Sequence, residues 1–332
     1  MSIEQFPVEA PRLQALSPEH NRSLDEPDLA HELALICRAV ARVASEYLVD
    51  ARTLVSSQTT SEKASHHDPV TKFDKQVEAS VSDILAHLVP GSRKLGEEHG
   101  EEILVPLKTE PSLPEGIVLP NLQPHVDARS LGSRVRWIID PIDGTSNFAA
   151  GLTDFNTSIA AELDGSVIAG AVHVPCANET FWANQTEGWL ETRDGFFALD
   201  SNGPTAEKDA VLLTYFPTVS ELRAYPDTAL DVMRELSFAF RAIRRPGAAA
   251  LDLAHLAAGR AGAFFATSLK PWDVAAAVHL VKVSGGTIDQ KNLGTDVPAH
   301  LGPAVAASAA SFDSPTLRRV LTTIESVRRE LS

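Results

Sequence analysis

Trp137-Ile138-Ile139-Asp140-Pro141-Ile142-Asp143-Gly144-Thr145-Ser146-Asn147-Phe148 is the stretch whose reading decides the fold. An apolar, β-branched run ends in two aspartates three positions apart, and the proline between them removes a backbone donor and forbids a regular strand continuation. Gly-Thr-Ser-Asn follows, which reads as a turn into a helix start. A buried strand that delivers two carboxylates to one point suits a hard cation of the Mg²⁺ type. The free N–H groups of the helix start suit an anion. An Asp-Gly pair alone is an ordinary solvated turn, so the stretch acquires meaning only from partners elsewhere in the chain.

The whole chain sets the bounds. It has 332 residues, a net charge of −15 and no low-complexity tract, so it reads as globular. An acidic balance argues against a general nucleic-acid binder, which needs a basic face. It also means that an anionic substrate would need cations in its site. Cys37 and Cys176 make neither a disulfide framework nor a zinc site, and a reducing, cytoplasmic compartment is the simplest home. The first residues, Met1 to Pro7, lack the basic and apolar regions of a signal peptide. No run approaches ~20 uninterrupted apolar residues, so no membrane association is expected.

Residues 1–27 are polar and proline-bearing and read as a flexible extension. From Asp28, Leu33, Ile36, Val40, Val43 and Leu48 recur at helical spacing, predicting a helix to about Tyr47. A second helix follows Asp74, with Val77, Val81, Ile84, Leu85 and Leu88 on one face and Pro90-Gly91 as its stop. Lys94-Leu95-Gly96 reads as a short strand ending in Glu97-Glu98. Glu101 to Ser133, with its prolines, reads as a long irregular loop that either covers the site, contacts a partner subunit or is surface decoration. After the opening stretch come antiparallel runs: Asn156 to Leu163, an Asp164-Gly165 turn, Val167 to Val174, and two more around Phe181-Trp182 and Trp189-Leu190. From about Ala210 strands and helices alternate: strands at Val211 to Tyr215, Arg241 to Arg245, Gly262 to Ala266, Gly286 to Ile288 and Pro303 to Ala307, and helices at Val219 to Phe238, Ala248 to Ala258, Pro271 to Ser284 and Ser314 to Leu331. That rhythm predicts an α/β (α+β) fold with an N-terminal α+β half over 28–205 and a C-terminal α/β half over 206–332.

Four acidic elements need one explanation: Asp74, Glu97, the Asp140/Asp143 pair, and Asp273 in Lys270-Pro271-Trp272-Asp273-Val274-Ala275-Ala276. Singly, Asp273 reads as a helix cap, Asp74 as a first-turn surface charge and Glu97-Glu98 as a solvated pair. Together, Asp68-Pro69-Val70-Thr71-Lys72-Phe73-Asp74, Gly96-Glu97-Glu98, the opening stretch from Asp140, the segments Gly247 to Leu253 and Ala257 to Arg260, and Pro271-Trp272-Asp273 with Gly285-Gly286 resemble the inositol monophosphatase family in kind and in order. This is the Mg²⁺-dependent, lithium-sensitive sugar-phosphate phosphatase superfamily, and the resemblance runs from Asp28 to Ser332. It implies a layered α/β/α/β/α sandwich of the inositol monophosphatase / fructose-1,6-bisphosphatase type, two to three Mg²⁺ per site, and often a homodimer.

Carried over position by position, the resemblance gives Glu97, Asp140 and the Ile142 carbonyl to a first ion, and Asp140, Asp143 and Asp273 to a second. A looser third ion would sit on Glu97. Gly144, Thr145 and Ser146 would hold the phosphate through their N–H groups. Thr145 would position the attacking water, and Asp74 or Glu97 would accept its proton. The chemistry needs such a set, because phosphate monoesters hydrolyse very slowly unaided. Paired cations clamp the attacking and leaving oxygens and activate water.

His66-His67 and His99 read as surface histidines, since histidine is a poor Mg²⁺ partner. Cys176 reads as a small core residue, Gly285-Gly286 as a helix-to-strand turn, and Trp272 as packing behind Asp273. Many relatives that hydrolyse inositol phosphates carry an acid seven positions before the Trp-Asp aspartate, where this chain has Ala266, with Lys270 nearby for a second anionic group. The expectation is a phosphomonoesterase for a small polyol or sugar phosphate. Histidinol phosphate, fructose 1,6-bisphosphate and a nucleotide 3′- or 2′-phosphate are the alternatives, and a non-catalytic interaction protein on the same fold is the rival of another class.

Overall fold

The structure, a computed structural model, describes residues 29–46, 48–55, 60–62, 69–108, 111, 131–289 and 304–331. Helix α1 (Leu29–Glu46) buries Leu33, Ile36, Cys37, Val40 and Ala44, and a short turn of helix, α2 (Leu48–Ala51), follows it. Helix α3 (Lys72–Leu88) buries Val77, Val81, Ile84 and Leu85. Both long stripes recur every three or four residues, as one face of a helix requires. They cover one face of a sheet whose strand order is β10-β9-β8-β7-β6-β5-β3-β4.

The strands of that sheet are β3 (Arg93–Gly96), β4 (Gly100–Ile103), β5 (Val135–Asp143), β6 (Asn156–Leu163), β7 (Ser166–Val174), β8 (Glu179–Ala183), β9 (Gly188–Thr192) and β10 (Gly195–Ala198). A separate hairpin pairs β1 (Thr60–Glu62) with β2 (Pro69–Thr71). In the large sheet all neighbours are antiparallel except β3 and β5, which run parallel. A second sheet has the order β12-β11-β13-β15-β14, from β11 (Val211–Thr214), β12 (Ala242–Arg244), β13 (Ala263–Ala266), β14 (Thr287–Asp289) and β15 (Val305–Ser308).

Side-chain alternation builds the layers. On β5, Trp137 and Ile139 face α1 and α3 in one core, while Ile138 faces the other way. There it joins Ala160, Val172 and Phe181, helices α7 (Ala249–Ala257) and α8 (Pro271–Val283), and Phe264 and Val305 of the second sheet. The far side of that sheet, with Leu212, Ala263, Phe265 and Ala306, is covered by α6 (Pro226–Ala239) and α9 (Pro315–Leu331). The result is the expected α/β/α/β/α stack. Because β5 is buried on both faces, its sequence reads as a continuous apolar run.

Several expected boundaries shift. The stretch read as an irregular loop begins inside strand β4 (Gly100–Ile103), hydrogen-bonded antiparallel to β3; residues 112–130 lie outside the described residues, as do the 1–27 extension and His66-His67. Strand β10 was not expected at all. The helix expected over Val219 to Phe238 is two, α5 (Val219–Ala224) and α6, because Pro226 has no N–H to continue the first and suits the start of the second. A final short helix, α4 (Thr145–Ala149), opens after β5 as the Gly-Thr-Ser-Asn sequence predicts. Among the described residues no helix is long and apolar enough to cross a membrane.

Helix α8 lies against the large sheet through small residues. A Cβ added to Gly170 of β7 would stand 3.0 Å from the Ala276 Cα and 3.1 Å from its Cβ. Gly170→Val is therefore expected to lose about 1–3 kcal/mol through overpacking, read as a lowered denaturant midpoint. An unchanged midpoint would mean that the two layers do not meet there.

Candidate active site

The parallel register of β3 and β5 sets Gly96 opposite Ile139, so Glu97 and Asp140 emerge side by side at the strand ends. Asp140 and Asp143 pose a geometric problem, because residues three apart on a regular strand point to opposite faces. The β5–β6 register solves it: Asp140 faces Ser158 and Asp143 faces Asn156, so the proline-bearing strand carries one extra residue. Such a bulge returns both carboxylates to one side.

Asp143, Asp273 and Asp74 are then each held by their own partners. Asp143 accepts the N–H of Ala249 at 3.0 Å and that of Ala250 at 2.8 Å, which are the first N–H groups of α7, and Asn156 Nδ2 at 2.7 Å. Asp273, in the first turn of α8, accepts the Lys270 N–H at 2.7 Å. Asp74 is fully buried, not the surface charge that its position alone suggests. The Thr145 hydroxyl lies 3.0 Å from Asp74 Oδ1 and 2.9 Å from the Ile142 carbonyl oxygen. It has one proton and can donate to only one of them at a time. Gly144, just before α4, has φ +90°, and a Cβ there would stand 2.9 Å from the Asp154 carbonyl oxygen. Only glycine turns the chain at this point without strain.

Electrostatics join the acids into one cluster. Burial drives the Asp140 carboxyl well above the ordinary carboxylate range, and Glu97, Asp143 and Asp273 push it further, with a hydrogen bond shared with Glu97. Burial raises Asp143 to about 6, against the opposing hydrogen bonds from Asn156, Ala250 and Ala249. Burial raises Asp273 to about 8, opposed by the Lys270 N–H and reinforced by Asp143 and Glu97. Ser146 and Lys270 are exposed at the rim.

Among the described residues no three His, Cys, Asp or Glu side chains already close on one point as a ligand set. The fit to a hard cation rests on two other observations. The donors are all oxygen, and Asp140 Oδ1 is buried without a hydrogen-bond partner. Two carboxyl groups in contact, as Glu97 and Asp140 are, need a proton or a cation between them.

Asn156 and Tyr215 gave no site signal in the sequence, and Asp252 gave none beyond its place in the Gly247 to Leu253 segment. Asn156 holds Asp143. Asp252 of α7 is fully buried with both carboxylate oxygens unpartnered, and Asp143 and Asp154 add to the effect of burial in raising it. The Tyr215 hydroxyl is buried and pushed up by burial and by Asp143, Asp252, Asp273 and Asp140. His99 is exposed, as expected, but its Nδ1 meets Glu78 at 2.9 Å. Cys176 is half-buried and packs against the first core. Trp272 packs against the central core beside Asp273.

The raised carboxyls fix the sign of a pH effect. Folded Asp143 and Asp273 hold protons up to about 6 and about 8, against 3.8 ordinarily, so the fold binds more protons than the unfolded chain in between. Stability of the metal-free protein must then fall as pH rises through that window. In chelator, the unfolding temperature is expected to drop from pH ~5 to pH ~8.5, and added Mg²⁺ should raise it more at the upper end, where ligands are already ionised. A pH-independent unfolding temperature would show that the acids do not share one site.

The sequence matches the model of the inositol monophosphatase family over residues 28–323. It is 30% identical to Nus factor SuhB of Escherichia coli (strain K12) over 258 residues, 78% of this chain and 85% of that protein. It is 34% identical to an inositol-1-monophosphatase of Mesorhizobium japonicum over 166 residues, 50% of this chain and 60% of the other. The crystal structure of extragenic suppressor protein suhB from Bartonella henselae superposes with a TM-score of 0.66 at 26% identity, covering 88% of this chain and 98% of that one. A family match across both sheets, with the same layered fold in a solved relative, places the chain in the inositol monophosphatase family.

Proposed function

We propose that the chain is a Mg²⁺-dependent phosphomonoesterase acting on a small polyol or sugar phosphate. The observation that carries this reading is the cluster of Glu97, Asp140, Asp143 and Asp273, in which Asp140 and Asp143 are buried and one Asp140 oxygen is unpartnered, set beside a threonine hydroxyl held between Asp74 and a backbone carbonyl. Glu97, Asp140 and the Ile142 carbonyl would hold one Mg²⁺, Asp140, Asp143 and Asp273 a second, and Glu97 a third. Such ions, when bound, activate water and neutralise the phosphoryl oxygens.

The chain's own groups do the rest. With the Ile142 carbonyl engaged elsewhere, the Thr145 hydroxyl donates to Asp74, which leaves its lone pairs to accept a hydrogen from the attacking water. The proton then moves toward the Thr145–Asp74 pair, which favours Asp74 over Glu97 as its acceptor. The N–H groups of Gly144, Thr145 and Ser146, which a helix start leaves without internal partners, orient the phosphate. Ala266, buried at the end of β13, offers no acceptor for a substrate hydroxyl, which weighs against inositol 1-phosphate itself. Lys270 at the rim suits a second anionic group. Lithium sensitivity, a homodimer and a cytoplasmic location belong to the same reading, as does a division into halves near residue 205.

A second reading, an interaction protein on this fold, is favoured by one observation: its relatives include proteins named as Nus factors. Kinetics on a panel of phosphate esters with Mg²⁺, with and without Li⁺, separate the two. The proposed function expects turnover of at least one polyol or sugar phosphate. Asp140→Asn and Asp273→Asn should each reduce it by more than the roughly 10–100-fold typical of outer-shell changes, with the fold retained. A uniformly inert panel from folded protein would favour the second reading.

A further inference from the structure

Glu78 lies on α3 one helical turn after Asp74, is fully buried, and has no part in the chemistry above. Its carboxylate is wrapped by the turn that carries Glu97. Oε2 accepts the Glu98 N–H at 2.7 Å, and Oε1 accepts the His99 N–H at 3.1 Å. Oε1 also meets His99 Nδ1 at 2.9 Å and Lys94 Nζ at 3.0 Å. Lys94 is itself buried and is held by Ser82 Oγ at 2.8 Å and Glu102 Oε2 at 3.1 Å. On the other side of Glu97, a Cβ on Gly96 would overlap the Glu78 carboxylate. The backbone before and after Glu97 is thus pressed onto one anion.

A buried ion pair is poor value for stability, because desolvation offsets most of the attraction. Backbone N–H groups converging on one carboxylate do something else: they fix the orientation of the turn. We propose that Glu78, braced by Lys94, is a positioning residue that holds the Gly96–His99 turn so that the Glu97 carboxylate stays against Asp140 as a cation ligand. This rests on the Mg²⁺ reading given above.

The test measures divalent-ion binding directly, by calorimetry with Mg²⁺ and by electron paramagnetic resonance with Mn²⁺, on the full chain. Glu78→Gln keeps the shape but loses the charge and turns an NH₂ toward groups that are themselves donors. It is expected to weaken ion binding about 10–100-fold, while turnover at saturating Mg²⁺ falls less than the half-saturating Mg²⁺ rises. The discriminating measurement is a double-mutant cycle with Glu97→Gln. If Glu78 acts through Glu97, adding Glu78→Gln to Glu97→Gln costs no further affinity. Unchanged ion affinity in folded Glu78→Gln overturns the proposal, and so does a loss that simply adds to that of Glu97→Gln. If Glu78→Gln does not fold, Gly96→Ala displaces the same turn with every charge kept and is expected to weaken ion binding likewise; unchanged affinity there also overturns it. Wild-type protein that binds neither ion fails at the earlier step and removes the Mg²⁺ reading itself, whereas wild-type binding with an unaffected Glu78→Gln removes only the role of Glu78.

Discussion

Four carboxylates within one another's field, with Asp140 and Asp143 buried among them, are the constraint on which this structure turns. Burial raises the carboxyls of Asp140, Asp143 and Asp273, and at Asp140 and Asp273 the neighbouring acids strengthen the effect. The fold answers with donors from different layers. Asp143 is held by the first N–H groups of α7 and by Asn156 of β6. Asp273 is held by the backbone of Lys270 at the start of α8. Both helices of the central layer therefore direct their positive ends at the acids. Asp140 sits at the centre and retains one oxygen that no protein group satisfies.

The layers follow from what must surround such a cluster. A strand buried on both faces, β5, needs helices on either side, and α1 with α3 on one face and α7 with α8 on the other supply them. The second sheet then covers α7 and α8, and α6 with α9 close the stack. The alanines at 275–277 and Gly170 let α8 approach closely enough to bring Asp273 toward the end of β5.

How much of this could be read from residues alone depends on where each signal lives. The opening stretch was legible because a doubly buried strand must be apolar throughout and because two aspartates after it are conspicuous. The layered fold and the membership of Glu97, Asp140, Asp143 and Asp273 in one cluster were legible through the order of motifs. The bulge between Asp140 and Asp143 was not, since it is a relation between two strands. Strand β4 was hidden because Glu101, Glu102 and Ile103 all face solvent on a sheet edge, leaving no alternation to detect. Asn156, and the burial of Asp252 within the recognised Gly247 to Leu253 segment, were hidden for the opposite reason: each is an ordinary polar residue whose importance comes from burial beside distant partners.

Helix α3 touches the site twice, through Asp74 against the Thr145 hydroxyl and through Glu78 against the turn of Glu97. Four residues of helix rise about 6 Å. The interval between the group beside the threonine and the support of the metal-facing glutamate is therefore measured out by the pitch of a single rod. Core substitutions that slide or tilt α3 carry both ends together, so the two halves of the chemistry share one error and their relative alignment survives sequence drift elsewhere in the layer.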